Sequence, residues 1–123
     1  MKILLFLTSH RQLEEYKYFN VFFQKHNKLK EICDIFIYIN NSNLSVDVLK
    51  YYQQINVKNK NIYITTKNAG GIRHPGQYGW LETLNEGYNM NKFNNYDYVI
   101  HMHPDVFITQ ENNIIKILNE KFR

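Results

Sequence analysis

Four apolar runs alternate along the chain with stretches in which apolar residues recur every three or four positions. The runs cover residues 2–8, 32–39, 61–66 and the start of 97–108. A short run that is apolar at nearly every position is the pattern of a strand covered on both faces, as in a parallel sheet. Leu13, Tyr16, Phe19, Phe22 and Phe23 predict a helix over residues 12–28, with Ser9 available as its cap. Val48, Leu49 and Tyr52 predict a short helix that starts near Ser45 and ends near Gln54. Leu84 and Tyr88, with Trp80 or Leu81, predict another over 77–90, although Gly79 and Gly87 each lower its propensity by about 1 kcal/mol. Ile114, Ile115, Ile117 and Leu118 predict the last, over 110–122.

The resulting order, β-α-β-α-β-α-β-α, implies right-handed crossovers and a mainly parallel sheet with helices on both faces. The expected fold is α/β, a Rossmann-like three-layer sandwich forming a single domain over 1–123. No G-x-G-x-x-G follows the first strand and no G-x-x-x-x-G-K-[ST] occurs, which disfavours a dinucleotide fold and a P-loop.

In such sheets ligands bind beyond the carboxyl ends of the strands, so the residues that close each run are the candidates for chemistry. The fourth run ends in His101-Met102-His103-Pro104-Asp105. Side chains two apart in a strand share a face, so His101 and His103 point the same way. Pro104, which lacks an N–H for the ladder, predicts a turn that places Asp105 just past the strand end. His103 and Asp105 together could hold a divalent ion, with water and ligand oxygens in its other positions; an ordinary strand-end histidine beside a capping aspartate is the alternative. His101, further inside, reads as a core histidine bonded to a neighbour.

The first run closes with Thr8, Ser9, His10 and Arg11, which either line the same crevice or cap the next helix. The second closes in the turn Asn40-Asn41-Ser42-Asn43. The third leads into residues 67–76, a polar loop with Gly70, Gly71 and Gly76 where a backbone could approach a ligand closely and where Arg73 and His74 could face phosphate. The alternative is a loop that merely connects strand to helix.

Composition narrows the classes. The chain has 123 residues, 44% hydrophobic, 21% charged and 15% aromatic, enough to fold around a core. The net charge of +4 suits an anionic partner, but its lysines are scattered, so nucleic-acid binding is disfavoured. A single cysteine, Cys33, excludes a disulfide framework and a Cys-based zinc site. The apolar run at residues 3–7 is too short for a signal-peptide core or a membrane span, so a cytoplasmic protein is expected.

Taken together, Asn68-Ala69-Gly70 after the third strand, Leu84-Asn85-Glu86-Gly87 on the next helix, and the apolar strand ending in His103-Pro104-Asp105 resemble the N-terminal half of GT-A glycosyltransferases of the family-2-like group. The resemblance covers essentially the whole chain, and order and spacing carry it. In that family an Asp-x-Asp motif binds the metal; His103-Pro104-Asp105 looks like its His-x-Asp version. The resemblance implies a GT-A type fold and Mn²⁺ or Mg²⁺ at His103 and Asp105. It further implies a UDP- or GDP-sugar held by Thr8, Ser9, His10, Arg11, Asn40, Asn68, Gly70, Gly71, Arg73, Gly76, Gln77, His103 and Asp105, with transfer to an acceptor that the sequence does not specify.

Two departures accompany it. Asn40-Asn41-Ser42-Asn43 stands where the family often has an acid that helps hold the base. The acceptor-binding half and its catalytic carboxylate have no counterpart in these residues, so a second chain or domain is expected to supply them. Alternatively the chain is a non-catalytic nucleotide-sugar-binding module.

Overall fold

The computed structural model describes residues 1–9, 15–40, 46–65, 69–70, 74–75, 77–90 and 92–120. Strands β1 (Ile3–Ser9), β2 (Cys33–Asn40), β3 (Lys60–Thr65) and β6 (Tyr98–Met102) form one all-parallel sheet in the order β3-β2-β1-β6. Between them lie α1 (Glu15–Phe23), α2 (Asn27–Ile32), α3 (Val46–Gln54) and α4 (Gln77–Asn89), and α5 (Glu111–Glu120) follows β6. Two further strands, β4 (Ala69–Gly70) and β5 (His74–Pro75), make a two-residue parallel ladder beside α4. The fold is thus α/β, Rossmann-like and three-layered, as the alternation of runs predicts. No helix among the described residues is long and apolar enough to cross a membrane.

Strand alternation sorts the core into two layers. Ile3, Leu5 and Leu7 of β1 and Cys33, Ile35, Ile37 and Ile39 of β2 face α1, α2, α3 and α5, meeting Tyr16, Phe19, Phe23 and Leu29. The other face carries Leu4, Phe6, Phe36 and Tyr38 against Leu84 of α4 and the Met90, Phe93, Tyr96 and Val99 that follow. Phe6 stacks on Phe36 at 5.4 Å and meets Phe93 edge-on at 5.2 Å. At the base of the sheet the starts of β1 and β6 are clasped: Asp97 donates its N–H to the Lys2 carbonyl, and Lys2 donates its own to Asp97 Oδ2.

Two helices differ from the pattern-based expectation. The helix expected over 12–28 divides, because after Phe23 the next buried apolar side chain is Leu29 and the chain turns at Lys25 and His26 with bonds to carbonyls three residues back. His26 is buried, and its Nε2 hydrogen-bonds the Ile108 carbonyl. The short α2 has no side-chain cap from His26; Glu111, distant in sequence, instead accepts the Leu29 N–H at 3.0 Å.

In α4 the buried face is not the expected one. Leu81 and Tyr88 are exposed, while Thr83, Leu84 and Gly87 turn inward. Gly87 explains the rotation. A Cβ there would lie 2.6 Å from Phe93 Cζ and 3.1 Å from Phe6 Cζ, so the absence of a side chain lets the helix close on the aromatic cluster.

Candidate functional site

Parallel pairing brings the carboxyl ends of all four long strands to one edge. β1 leads to β2 and then β3 on one side, whereas β6 joins β1 on the other, so the direction of winding reverses between β1 and β6. This is the switch point where an open α/β sheet leaves a crevice. Its walls are Thr8 and Ser9 on one strand and Met102 and His103 at the end of the other.

Thr8 organises this point. It is buried at 5% exposure, its hydroxyl lies 2.7 Å from His101 Nε2, and its carbonyl accepts a 3.0 Å hydrogen bond from His103 Nδ1. A backbone carbonyl can only accept, so His103 carries its proton on Nδ1, and its neutral form presents Nε2 as a lone pair to solvent. His101 sits beneath, its ring 5.2 Å from that of Phe6 and 5.9 Å from that of His103. Burial and then the neighbouring His103 push its pKa down to about 4, so it is a neutral, bonded core histidine, as its place inside the strand predicts.

Past the strand the chain turns as Pro104 requires. The Val106 N–H reaches the His103 carbonyl at 3.1 Å, closing a four-residue turn with Pro104 second and Asp105 third. Pro104 is buried, whereas His103 and Asp105 are exposed. The following segment is fastened to the α1–α2 corner: Phe107 stacks on Phe22 at 4.5 Å, and His26 holds the Ile108 carbonyl. The turn bearing Asp105 is therefore anchored on both sides.

Glu15, at the start of α1, belongs to the same edge and was not among the residues marked by sequence. Its carboxyl pKa is raised by burial first and by the Asp105 charge second, with His103 acting in the opposite sense. The available signal was positional, since Glu15 opens the helix that follows β1 and so lies above the carboxyl end of the sheet.

Of the other expected site residues, Ser9 and Asn40 end β1 and β2, Gly70 lies in the β4–β5 ladder, and Gln77 opens α4. His10, Arg11, Asn68, Gly71, Arg73 and Gly76 lie outside the described residues. Among the described residues no group of three or more His, Cys, Asp and Glu side chains gathers in metal-binding geometry. The donor set is thus one imidazole nitrogen and one carboxylate. That suits a cation completed by ligand and water oxygens but not a closed structural site.

Comparison with family models, with curated protein sequences and with solved structures returns no match for this chain.

Proposed function

We propose that this domain binds a nucleoside-diphosphate sugar at the β1–β6 switch point and serves as a glycosyltransferase or as its donor-binding part. The observation that carries the reading is the hydrogen bond from His103 to the Thr8 carbonyl, which fixes the ring so that Nε2 and the nearby Asp105 are the outward donors at a Rossmann-like crevice. In the proposed site His103 and Asp105 hold Mn²⁺ or Mg²⁺, which supplies charge neutralisation to the departing diphosphate. Thr8 keeps His103 oriented, as groups behind a metal-binding imidazole do. Ser9, Asn40 and the 67–76 loop are the proposed contacts to the nucleotide and sugar.

Thermal shift with UDP- and GDP-sugars, with and without Mn²⁺, tests the binding. Stabilisation that requires both metal and nucleotide, about 2.7 kcal/mol at a hundredfold excess over Kd, is expected. No stabilisation by any combination would refute the reading.

A second reading, binding without transfer, is favoured by the donor inventory: His103 is bonded to Thr8 and Asp105 is proposed for the metal, which leaves neither to deprotonate an acceptor hydroxyl. Release of free nucleoside diphosphate in the presence of acceptor separates the two.

A further inference from the structure

β6 is read from sequence as a covered strand, yet it lies at an edge. Among the described residues it pairs with β1 alone, and of its five residues, Tyr98-Val99-Ile100-His101-Met102, only Met102 is buried. The opposite edge of the sheet is different, since β3 opens with Lys60-Asn61, a charged and polar start of the sort that discourages pairing. β6 has no charged residue, Pro or Gly along its length. Beside it runs a groove of about 590 Å³ between Ile100–Met102 and the 106–110 segment, with Ile114 of α5 at its border. Val106 and Ile117 are more than half exposed nearby.

An edge strand presents unpaired N–H and C=O groups, so the occupant that satisfies it is another strand. We propose that the occupant is β6 of a second copy, paired antiparallel about a two-fold axis at Ile100. The register follows from the residues. With Ile100 opposite itself, Tyr98 faces Met102 and Val99 faces His101, apolar body against apolar body on one face and aliphatic against neutral imidazole on the other. Just beyond the strand ends, Asp97 falls opposite His103, and symmetry repeats this carboxylate–imidazole pair. Only Asp97 Oδ2 is engaged by the Lys2 N–H, which leaves its other oxygen for the partner. Opposed side chains in such a ladder have Cβ atoms about 5 Å apart, within reach of both groups. An isologous two-fold is the commonest closed symmetry for a soluble chain, and here it would cover the groove and the outward side of α5 from both copies at once.

Sedimentation in metal-free buffer tests the proposal, with a concentration-dependent dimer of twice 14.9 kDa expected. A chain that remains monomeric up to about 1 mM would overturn it. His103→Asp sets two carboxylates opposite each other at both ends and should weaken the dimer by about tenfold or more; an unchanged dimer would exclude this register. Ile100→Cys should form an intermolecular disulfide under mild oxidation, because the residue on the axis meets its own copy, whereas Val99→Cys should not. The native Cys33 is buried and does not compete. Circular dichroism confirms that each variant is folded, and a folded Ile100→Cys that fails to cross-link would also overturn the pairing.

Discussion

At the amino end of the sheet Asp34 is enclosed: its carboxylate accepts from the Tyr96 hydroxyl at 2.7 Å and the Asn59 amide at 3.3 Å, with Lys2 Nζ 3.7 Å away. At the carboxyl end of the same face, Asp105 and His103 stand exposed past the strand end, and His103 uses only one nitrogen on protein. Both clusters pair a carboxylate with nearby donors, but they are finished differently. Around Asp34 the protein supplies several partners, and Tyr96 in return has its pKa pushed up to about 12 by burial and by that bond. Around His103 one nitrogen is held so that the other is offered. The first arrangement is what buried charge requires to be tolerated in a fold; the second is what a ligand site requires.

The largest effect expected from breaking this contrast is on stability at the enclosed end. Asp34→Ala would leave the Tyr96 hydroxyl and the Asn59 amide without their acceptor and Lys2 without its counter-ion, at a cost of about 3 kcal/mol. Urea denaturation measures it. A loss below about 1 kcal/mol, the range of exposed ion pairs, would mean that Asp34 is no more enclosed than Asp105.

Gly87→Ala addresses the aromatic wall between the two clusters. A methyl group 2.6 Å from Phe93 Cζ must displace that ring or the helix, and the expected cost is about 2 kcal/mol. In an open helix the same change would stabilise by a few tenths to about 1 kcal/mol. The sign of the measured change therefore decides whether close packing or propensity governs this position.

These two sites show what could be read from the sequence. The sheet was legible because each strand is an uninterrupted apolar run covered on both faces, and the turn at Pro104 because proline lacks the N–H a ladder needs. The α4 face was not legible, because helical periodicity weighs large apolar residues such as Leu81 and Tyr88, whereas the buried positions are the small Thr83 and Gly87 beside Leu84. The break between α1 and α2 was hidden for another reason: His26 and Leu29 are satisfied by Ile108 and Glu111, more than eighty residues away in sequence. At the candidate site His103 and Asp105 could be singled out in sequence, but the role of Thr8 could not, since its carbonyl meets His103 only through the parallel pairing of β1 with β6.

A smaller effect is expected from His101. Its folded pKa is depressed to about 4, so below the ordinary imidazole range near ~6.5 the unfolded chain binds a proton that the folded chain does not. Stability is therefore fully present above about pH 6.5 and falls as pH drops toward 4, by up to about 1.4 kcal/mol per pH unit from this group. His101→Asn, which cannot take up that proton, should flatten this part of the profile after its own offset is subtracted. Identical slopes for the two proteins would show that His101 is not the group that titrates.

The smallest effect on stability belongs to the open end, and there the contrast with Asp34 is most direct. Asp105 is exposed in a turn closed by backbone atoms, so Asp105→Ala should change unfolding free energy by less than about 1 kcal/mol, no more than the loss of a cap. On the proposed function it should nonetheless abolish metal-dependent nucleotide binding. His103→Asp supplies the complementary test, since it replaces one metal donor by another. It should retain binding but lose its sensitivity to acid: a proton competes with metal for an imidazole below neutrality, while a pair of carboxylates stays ionised. Titration of Mn²⁺ and nucleoside diphosphate at pH 7 and at about pH 5.5, with the nucleotide's own phosphate titration common to both proteins, reads the difference. Wild-type affinity should fall over that interval and His103→Asp affinity should change little. If the two profiles coincide, His103 is not a metal donor, and its bond to Thr8 serves only to join β1 to the end of β6.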